Sequence, residues 1–261
     1  MSKALLYDAT LCIGCKQCET GCAQQNKLPY DDKIAGEEFT SDHKFTAVMT
    51  KGDKFFRRLC MHCQDPACAS VCPVGALKKT ALGPVVYDAG KCMGCRYCMV
   101  ACPFSVPKYE WSKVIPKVEK CIMCPDRVNN GQPTACAEAC PTGATKFGDR
   151  DELVKEAEQR LHDNPSNYVP HIFGIQEVGG TSVIMLSSVQ FAEFGLNSAK
   201  LPTDPLPMYT YKVLSRIPDF VPLGAAMLGG VWWITHRREE VAAAEAEEKA
   251  RKQQSRDGGR Q

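Results

Sequence analysis

Cys92-Met93-Gly94-Cys95-Arg96-Tyr97-Cys98-Met99-Val100-Ala101-Cys102-Pro103 decides the reading of this chain. Its thiols are separated by two, two and three residues and end on a proline, the spacing of a loop that wraps an iron–sulfur cube. In such a run three thiolates hold one cluster and the fourth crosses to a neighbouring cluster. One run therefore calls for a partner run close by, and the sequence supplies three.

All sixteen cysteines of the 261 residues fall into four groups of four: Cys12, Cys15, Cys18, Cys22; Cys60, Cys63, Cys68, Cys72; Cys92, Cys95, Cys98, Cys102; and Cys121, Cys124, Cys136, Cys140. An even count would suit a disulfide framework in a secreted chain, but Cys-x-x-Cys pairs repeated this densely suit metal better. Zinc is the stronger rival, since two such pairs can build a four-cysteine zinc site. The third cysteine of the first and third groups goes beyond what a zinc ribbon needs. Pro73, Pro103 and Pro141 follow the last cysteine of three groups, as in ferredoxins. The first group departs, with Ala23 after Cys22.

A formal charge of +2 describes the bare chain. Four oxidised cubes at about −2 each would bring the assembled protein to roughly −6. Lys16, Arg57, Arg58, Lys78, Lys79, Lys91, Arg96, Lys117 and Lys120 lie near the cysteines in sequence, and cations there raise cluster potentials. No basic stripe with interleaved aromatics points to nucleic acid.

Residues 3–8 read as a short strand running into the first group, and residues 26–44, polar with Pro29 and Gly36, as an inserted surface loop. Between the second and third groups lie Pro73-Val74-Gly75-Ala76-Leu77, a turn at Leu82-Gly83-Pro84, and Val85-Val86-Tyr87. Strand, turn, strand between two cysteine runs is the wiring of a two-cluster bacterial ferredoxin, so these groups form one unit. Pro141-Thr142-Gly143-Ala144 after Cys140 echoes the segment after Cys72, and its natural neighbour is the N-terminal strand. Groups one and four then pair around the inner unit. Exchange of the fourth cysteine gives four ligand sets: Cys12, Cys15, Cys18 and Cys140; Cys22, Cys121, Cys124 and Cys136; Cys60, Cys63, Cys68 and Cys102; Cys72, Cys92, Cys95 and Cys98.

The expected fold class is α+β: two nested bacterial-ferredoxin-like two-cluster units plus a single C-terminal transmembrane helix. The cluster domain takes residues 1–148, with an outer unit of 1–44 and 113–148 and an inner unit of 45–112. Residues 149–211 read as a helix and an arm that wraps a partner. The helix opens on a capping-box pattern at Asp149-Arg150-Asp151-Glu152, stops at Asn164-Pro165, and has an apolar face of Leu153, Val154, Ala157 and Leu161. A strand is expected at 181–186. Residues 212–236 read as a membrane anchor, because 220–235 carry no charge, Trp232 and Trp233 close the stretch, and small residues Ala225, Ala226, Gly229 and Gly230 suit close helix contact. Residues 237–261 form a charged tail, whose Arg237, Arg238, Lys249, Arg251 and Lys252 place it on the cytoplasmic side and the cluster domain opposite. Glu245/Lys249, Glu247/Arg251 and Glu248/Lys252 support a solvated helix there. The start, Met1-Ser2-Lys3-Ala4-Leu5-Leu6, carries no export signal.

The chain resembles the four-cluster iron–sulfur (beta) subunits of membrane-bound molybdopterin oxidoreductases, most of all the formate dehydrogenase beta subunit, with hydrogenase iron–sulfur subunits next. The resemblance covers nearly everything to about residue 236. It rests on the loops at Cys12, Cys60, Cys102 and Cys121, on Cys140-Pro141-Thr142-Gly143-Ala144, on Glu177-Val178-Gly179-Gly180-Thr181, and on the single anchor. It implies four [4Fe–4S] clusters, nested ligation, and co-export with a signal-bearing molybdopterin-type catalytic subunit to the outer face of the cytoplasmic membrane. Electrons would pass to a membrane cytochrome b that reduces quinone. The short N-terminus and the loop at 26–44 depart from the family and leave the catalytic partner open. No nucleophile with a base and no nucleotide loop suggests substrate chemistry in the chain itself. His62, between Cys60 and Cys63, reads as a neighbour of a cluster or a surface group. Rival readings are a hydrogenase subunit fed by dihydrogen, a soluble polyferredoxin and a zinc scaffold.

Overall fold

The computed structural model describes residues 2–258, in two units divided at Met208 and Tyr209. In the first unit a strand leads into each cysteine group and a strand leaves it. Strand β1 (Lys3–Asp8) enters the first group, from which helix α1 (Gln17–Asn26) departs. After α2 (Asp32–Gly36), the hairpin of β2 (Ala47–Lys51) and β3 (Lys54–Arg58) leads to the second group and α3 (Ala67–Ser70). The hairpin of β4 (Leu77–Lys79) and β5 (Val85–Tyr87) leads to the third group and α4 (Tyr97–Ala101). The short pair β6 (Lys108–Tyr109) and β7 (Val118–Glu119) leads to the fourth group, with α5 (Pro125–Asn129) and α6 (Ala135–Glu138).

The circle closes when β8 (Thr145–Asp149), leaving the fourth group, pairs antiparallel with β1, Lys3 opposite Asp149 and Tyr7 opposite Thr145. The helices pack in the same pairs: α1 against α6 and α3 against α4. Gly21 permits the first contact, because a Cβ there would stand 2.9 Å from the Ala139 Cβ.

β1 is apolar on both faces because both are covered. Leu5 and Tyr7 point into the core that the cysteines line, while Ala4 and Leu6 meet Leu153 and Ala157 of α7 (Arg150–Asp163). The helical face expected from the sequence is thus the buried one. Its start differs from a capping box: Asp149 makes no side-chain cap bond and instead accepts from Lys3 Nζ at 2.9 Å. The β1–β8 register brings Lys3 opposite this carboxylate and claims it.

Two stretches are more firmly packed than their sequence suggests. Within the segment expected to wrap a partner, Val169, Phe173, Phe191, Phe194 and Leu196 belong to this chain's own core. Strand β9 (Val183–Leu186) is fully buried and runs parallel to β1, giving the sheet order β8-β1-β9. Phe56 stacks on Phe194 at 4.5 Å and meets Phe191 edge-on, and Phe191 in turn packs on Phe173. The insertion at 26–44 is anchored rather than loose. Asp31 caps α2 at the Ile34 N–H (2.8 Å), and Lys44 and Glu19, both buried, form an ion pair at 2.9 Å. Glu19 also takes the Val48 N–H and the Tyr30 hydroxyl, while Lys44 Nζ donates to the Ile34 carbonyl.

The second unit holds α8 (Leu206–Leu214), whose first residues lie in the first unit, and α9 (Ile217–Gly258). A helix breaks off at Leu214 and restarts at Ile217, inside the stretch 212–236. Helix α9 carries Pro222 and is long and apolar enough to cross a membrane, with none of its apolar window buried. A Glu248–Lys252 ion pair at 2.6 Å supports its polar end; tail residues 259–261 lie outside the described residues.

Candidate metal centres

Each Cys-x-x-Cys loop turns through a left-handed residue just before its second cysteine: Gly14 (φ 70°), His62 (48°), Gly94 (73°) and Met123 (59°). Four loops with different side chains share one backbone turn, so the turn belongs to what the loops hold. The first and third loops repeat it further, with left-handed Lys16 and Arg96 preceding α1 and α4. Those helices put Cys18 with Cys22 one turn apart, and present Cys98.

The thiols gather across groups. Cys72, Cys92, Cys95 and Cys98 line one small cavity with Ala76, Leu77, Tyr87 and Val118. Cys63 has the thiols of Cys60, Cys102 and Cys68 as neighbours, and Cys22 those of Cys121, Cys136 and Cys124. Cys12 lies near Cys18. For Cys140 the geometry shows its donors: the Thr145 N–H at 3.4 Å and the Thr142 hydroxyl at 3.8 Å. Among the described residues no three ligating groups converge on one point as the ligands of a single ion do. A cube does not ask for that, since each of its thiolates binds a different iron.

Burial pushes the thiols up, Cys98 to about 11 and Cys18, Cys68 and Cys121 to about 12. Cys140 is the exception: burial opposes, but the Thr145 and Thr142 donors hold it below its ordinary value. Bare, these thiols would stay protonated; iron must displace the protons. Backbone and side-chain donors already aim at sulfur, Ala76 N–H at Cys72 (3.2 Å) and Asn26 at Cys22 (3.5 Å).

His62 tests the fit independently. It is buried, not a surface group, at 1% exposure. Its Nδ1 accepts the Val85 N–H at 2.9 Å, so the ring proton sits on Nε2, which has no partner. Burial, then Lys120 and Lys79, keep the ring neutral. A buried donor lacking an acceptor, in a loop between two thiols, suits the sulfide-rich surface of a cluster.

Sequence reasoning could not see what steadies this second loop. Gln64 donates to the Gly180 carbonyl, the Ser182 N–H reaches the carbonyls of Met61 and His62, and Cys63 bridges Thr181. Glu177 fixes that turn by accepting the Gly174 N–H at 2.7 Å and contacting His171 at 2.6 Å. The run from 177 to 181 is therefore a clamp on the Cys60 loop. Among the described cavities, the one beside Ala9, Thr10, Cys12 and Tyr168 joins the first loop to the end of α7. Asp8 at its rim caps the turn before Cys12 and is held by Arg160 (2.8 Å) and Tyr168 (2.9 Å).

A 4Fe-4S dicluster domain family model matches residues 52–150, which include the second, third and fourth groups. Over 261 aligned residues the chain is 40% identical to a protein of Nitratidesulfovibrio vulgaris, covering 95% of this chain and 70% of the other. It is 36% identical over 239 residues to the hydrogenase-2 operon protein HybA of Escherichia coli O157:H7, covering 75% of this chain and 73% of the other. The nitrate-inducible formate dehydrogenase iron-sulfur subunit of Escherichia coli K12 is 35% identical over 198 residues, covering 69% and 66%. With four cysteine loops of one geometry and relatives of both kinds, the chain belongs to the family of [4Fe–4S] electron-transfer subunits that includes the formate dehydrogenase iron–sulfur subunits and the hydrogenase-2 operon protein.

Proposed function

We propose that this subunit carries electrons through four [4Fe–4S] clusters from a catalytic partner to a quinone-reducing membrane partner. The observation that carries the reading is the gathering of thiols from different groups around common sites, clearest where Cys72 joins Cys92, Cys95 and Cys98 in one cavity. When bound, the clusters supply one-electron redox sites. The chain's own work is to hold them close, exclude water and set their charge. Cys12, Cys15, Cys18 and Cys140 hold the first; Cys22, Cys121, Cys124 and Cys136 the second; Cys60, Cys63, Cys68 and Cys102 the third; Cys72, Cys92, Cys95 and Cys98 the fourth. Antiparallel pairing of β1 with β8 and of β4 with β5 supports two nested ferredoxin-like units.

Exposed apolar side chains mark where partners dock. Leu11 and Ile13 flank the first loop, the side on which the catalytic subunit loads electrons. Met93, Tyr97 and Val100, with the fully exposed Val114 and neighbouring Trp111, surround the fourth. Electrons leave there for a cytochrome b-type subunit. The cations beyond the apolar stretch of α9, Arg237, Arg238, Lys249, Arg251 and Lys252, support a cytoplasmic tail and a cluster domain on the opposite face.

Similarity to both kinds of relative leaves two catalytic partners: a molybdopterin formate dehydrogenase subunit, or hydrogenase subunits fed by dihydrogen. Bleaching of the brown holocomplex by formate supports the first, and by dihydrogen the second. Metal analysis is expected to give about sixteen iron and sixteen sulfide per chain. Zinc without sulfide overturns the proposal, and mass spectrometry of the co-purifying large subunit names the reaction.

A further inference from the structure

Arg57 is buried at 1% exposure near the end of β3. Its Nε donates to Thr46 Oγ1 at 2.7 Å and its Nη1 to Thr145 Oγ1 at 2.9 Å, and neither partner carries a charge. A guanidinium taken out of water needs an anion, because its desolvation costs several kcal/mol. Glu19, a carboxylate that like Arg57 faces Cys18, is already neutralised by Lys44. The ionisable groups that act most strongly on Arg57 are the thiols of Cys136, Cys18 and Cys22, and Arg57 acts in turn on Cys124 and Tyr7. Cys18 belongs to the first proposed ligand set, Cys22 and Cys136 to the second.

We propose that Arg57 is the counter-charge shared by the first two clusters and raises the reduction potential of both. The inference rests on the cluster reading above and extends it to a residue that is no ligand. Each one-electron reduction adds one negative charge to a site walled off from water. A fixed cation there lowers the cost of that charge, and salt screens it little. Placed between two sites, it favours the electron on either one without trapping it on one of them. Lys120 repeats the arrangement further along. It is buried, its Nζ donates to the carbonyls of Val85 (2.5 Å) and Cys121 (2.9 Å), and it faces Cys68 and Cys102 of the third set. Of the nine basic residues near the cysteines in sequence, Arg57 and Lys120 are the two that are buried.

The test is potentiometric titration of the holocomplex followed by electron paramagnetic resonance, with iron and sulfide measured on each sample. In Arg57→Gln the equilibrium constants for reducing two of the clusters are expected to fall at least tenfold, about 59 mV for a one-electron couple, with the other two unchanged. Arg57→Lys keeps the charge and is expected to leave all four within threefold. Full iron and sulfide in Arg57→Gln with unmoved potentials overturns the proposal. So does a uniform shift of all four, or a shift in Arg57→Lys as large as in Arg57→Gln. Should Arg57→Gln not assemble, Lys120→Gln decides: a tenfold fall at one cluster supports the counter-charge role, and unmoved potentials overturn it. A wild-type complex without iron and sulfide would instead remove the cluster reading itself.

Discussion

The left-handed residue in each loop separates what a single position can and cannot announce. Glycine at 14 and 94 signals the turn, because only glycine adopts positive φ without strain. His62 and Met123 hide it: each is a bulky side chain buried in the core, and packing rather than backbone freedom chose it. The strain is retained where surrounding contacts over-determine the loop. Gly14 has a further constraint, since a Cβ would collide with the Phe55 ring. Gly14→Ala is therefore expected to lose one cluster, about a quarter of the iron. Gly131→Ala is the control: its φ is 72° with nothing within 4 Å of the added Cβ, so it carries the backbone strain of about 1–2 kcal/mol and should keep full iron. Equal iron content in the two variants would contradict the role given to Phe55.

Ligand exchange is also decided one residue at a time. Under the proposed sets, Cys72→Ser and Cys95→Ser disturb one spectroscopic signal, and Cys102→Ser and Cys63→Ser another. Were the third group to hold its own cluster, Cys102→Ser would instead match Cys95→Ser. These proposed sets rest on the spacing of the cysteines, which specifies chemistry and not only shape.

At the scale of elements, the hairpins between groups were legible and the insertion was not. Val85-Val86-Tyr87 after a Gly-Pro turn announces β5 through local pattern. Residues 26–44 look solvated, yet they bury Lys44 against Glu19 from a different helix, and nothing local to either residue encodes that meeting. Likewise β9 reads as a strand, but its parallel partner β1 lies at the far end of the chain, beyond any local pattern. The buried pair gives a firm expectation. Lys44→Met strands the Glu19 carboxylate and should destabilise the first unit by about 3–5 kcal/mol, read as a lower denaturant midpoint. Glu19→Gln combined with Lys44→Met should recover part of the loss. An unchanged midpoint in Lys44→Met would mean that the insertion contributes nothing to the fold.

At the scale of the first unit, the four groups meet in two pairs although they are strung out in sequence, α1 packing on α6 and α3 on α4. The hairpins run from each group to the next, and β8 with β1 joins the last to the first. Twelve of the sixteen thiols then sit inside or beside two of the apolar clusters, so metal and fold stand together. Among the described residues, no buried apolar side chain lies in the second unit. Helix α9 contributes exposed Phe220, Met227, Leu228 and Trp233 instead, a surface that water does not tolerate and a bilayer does. A chain ending at residue 208 is accordingly expected to stay brown, keep its iron and sulfide, and fractionate without detergent, while the full chain needs detergent to leave the membrane. Loss of iron on truncation would show that the second unit is needed to form the clusters. A truncated chain that stays on the membrane would place the attachment on the cluster domain itself.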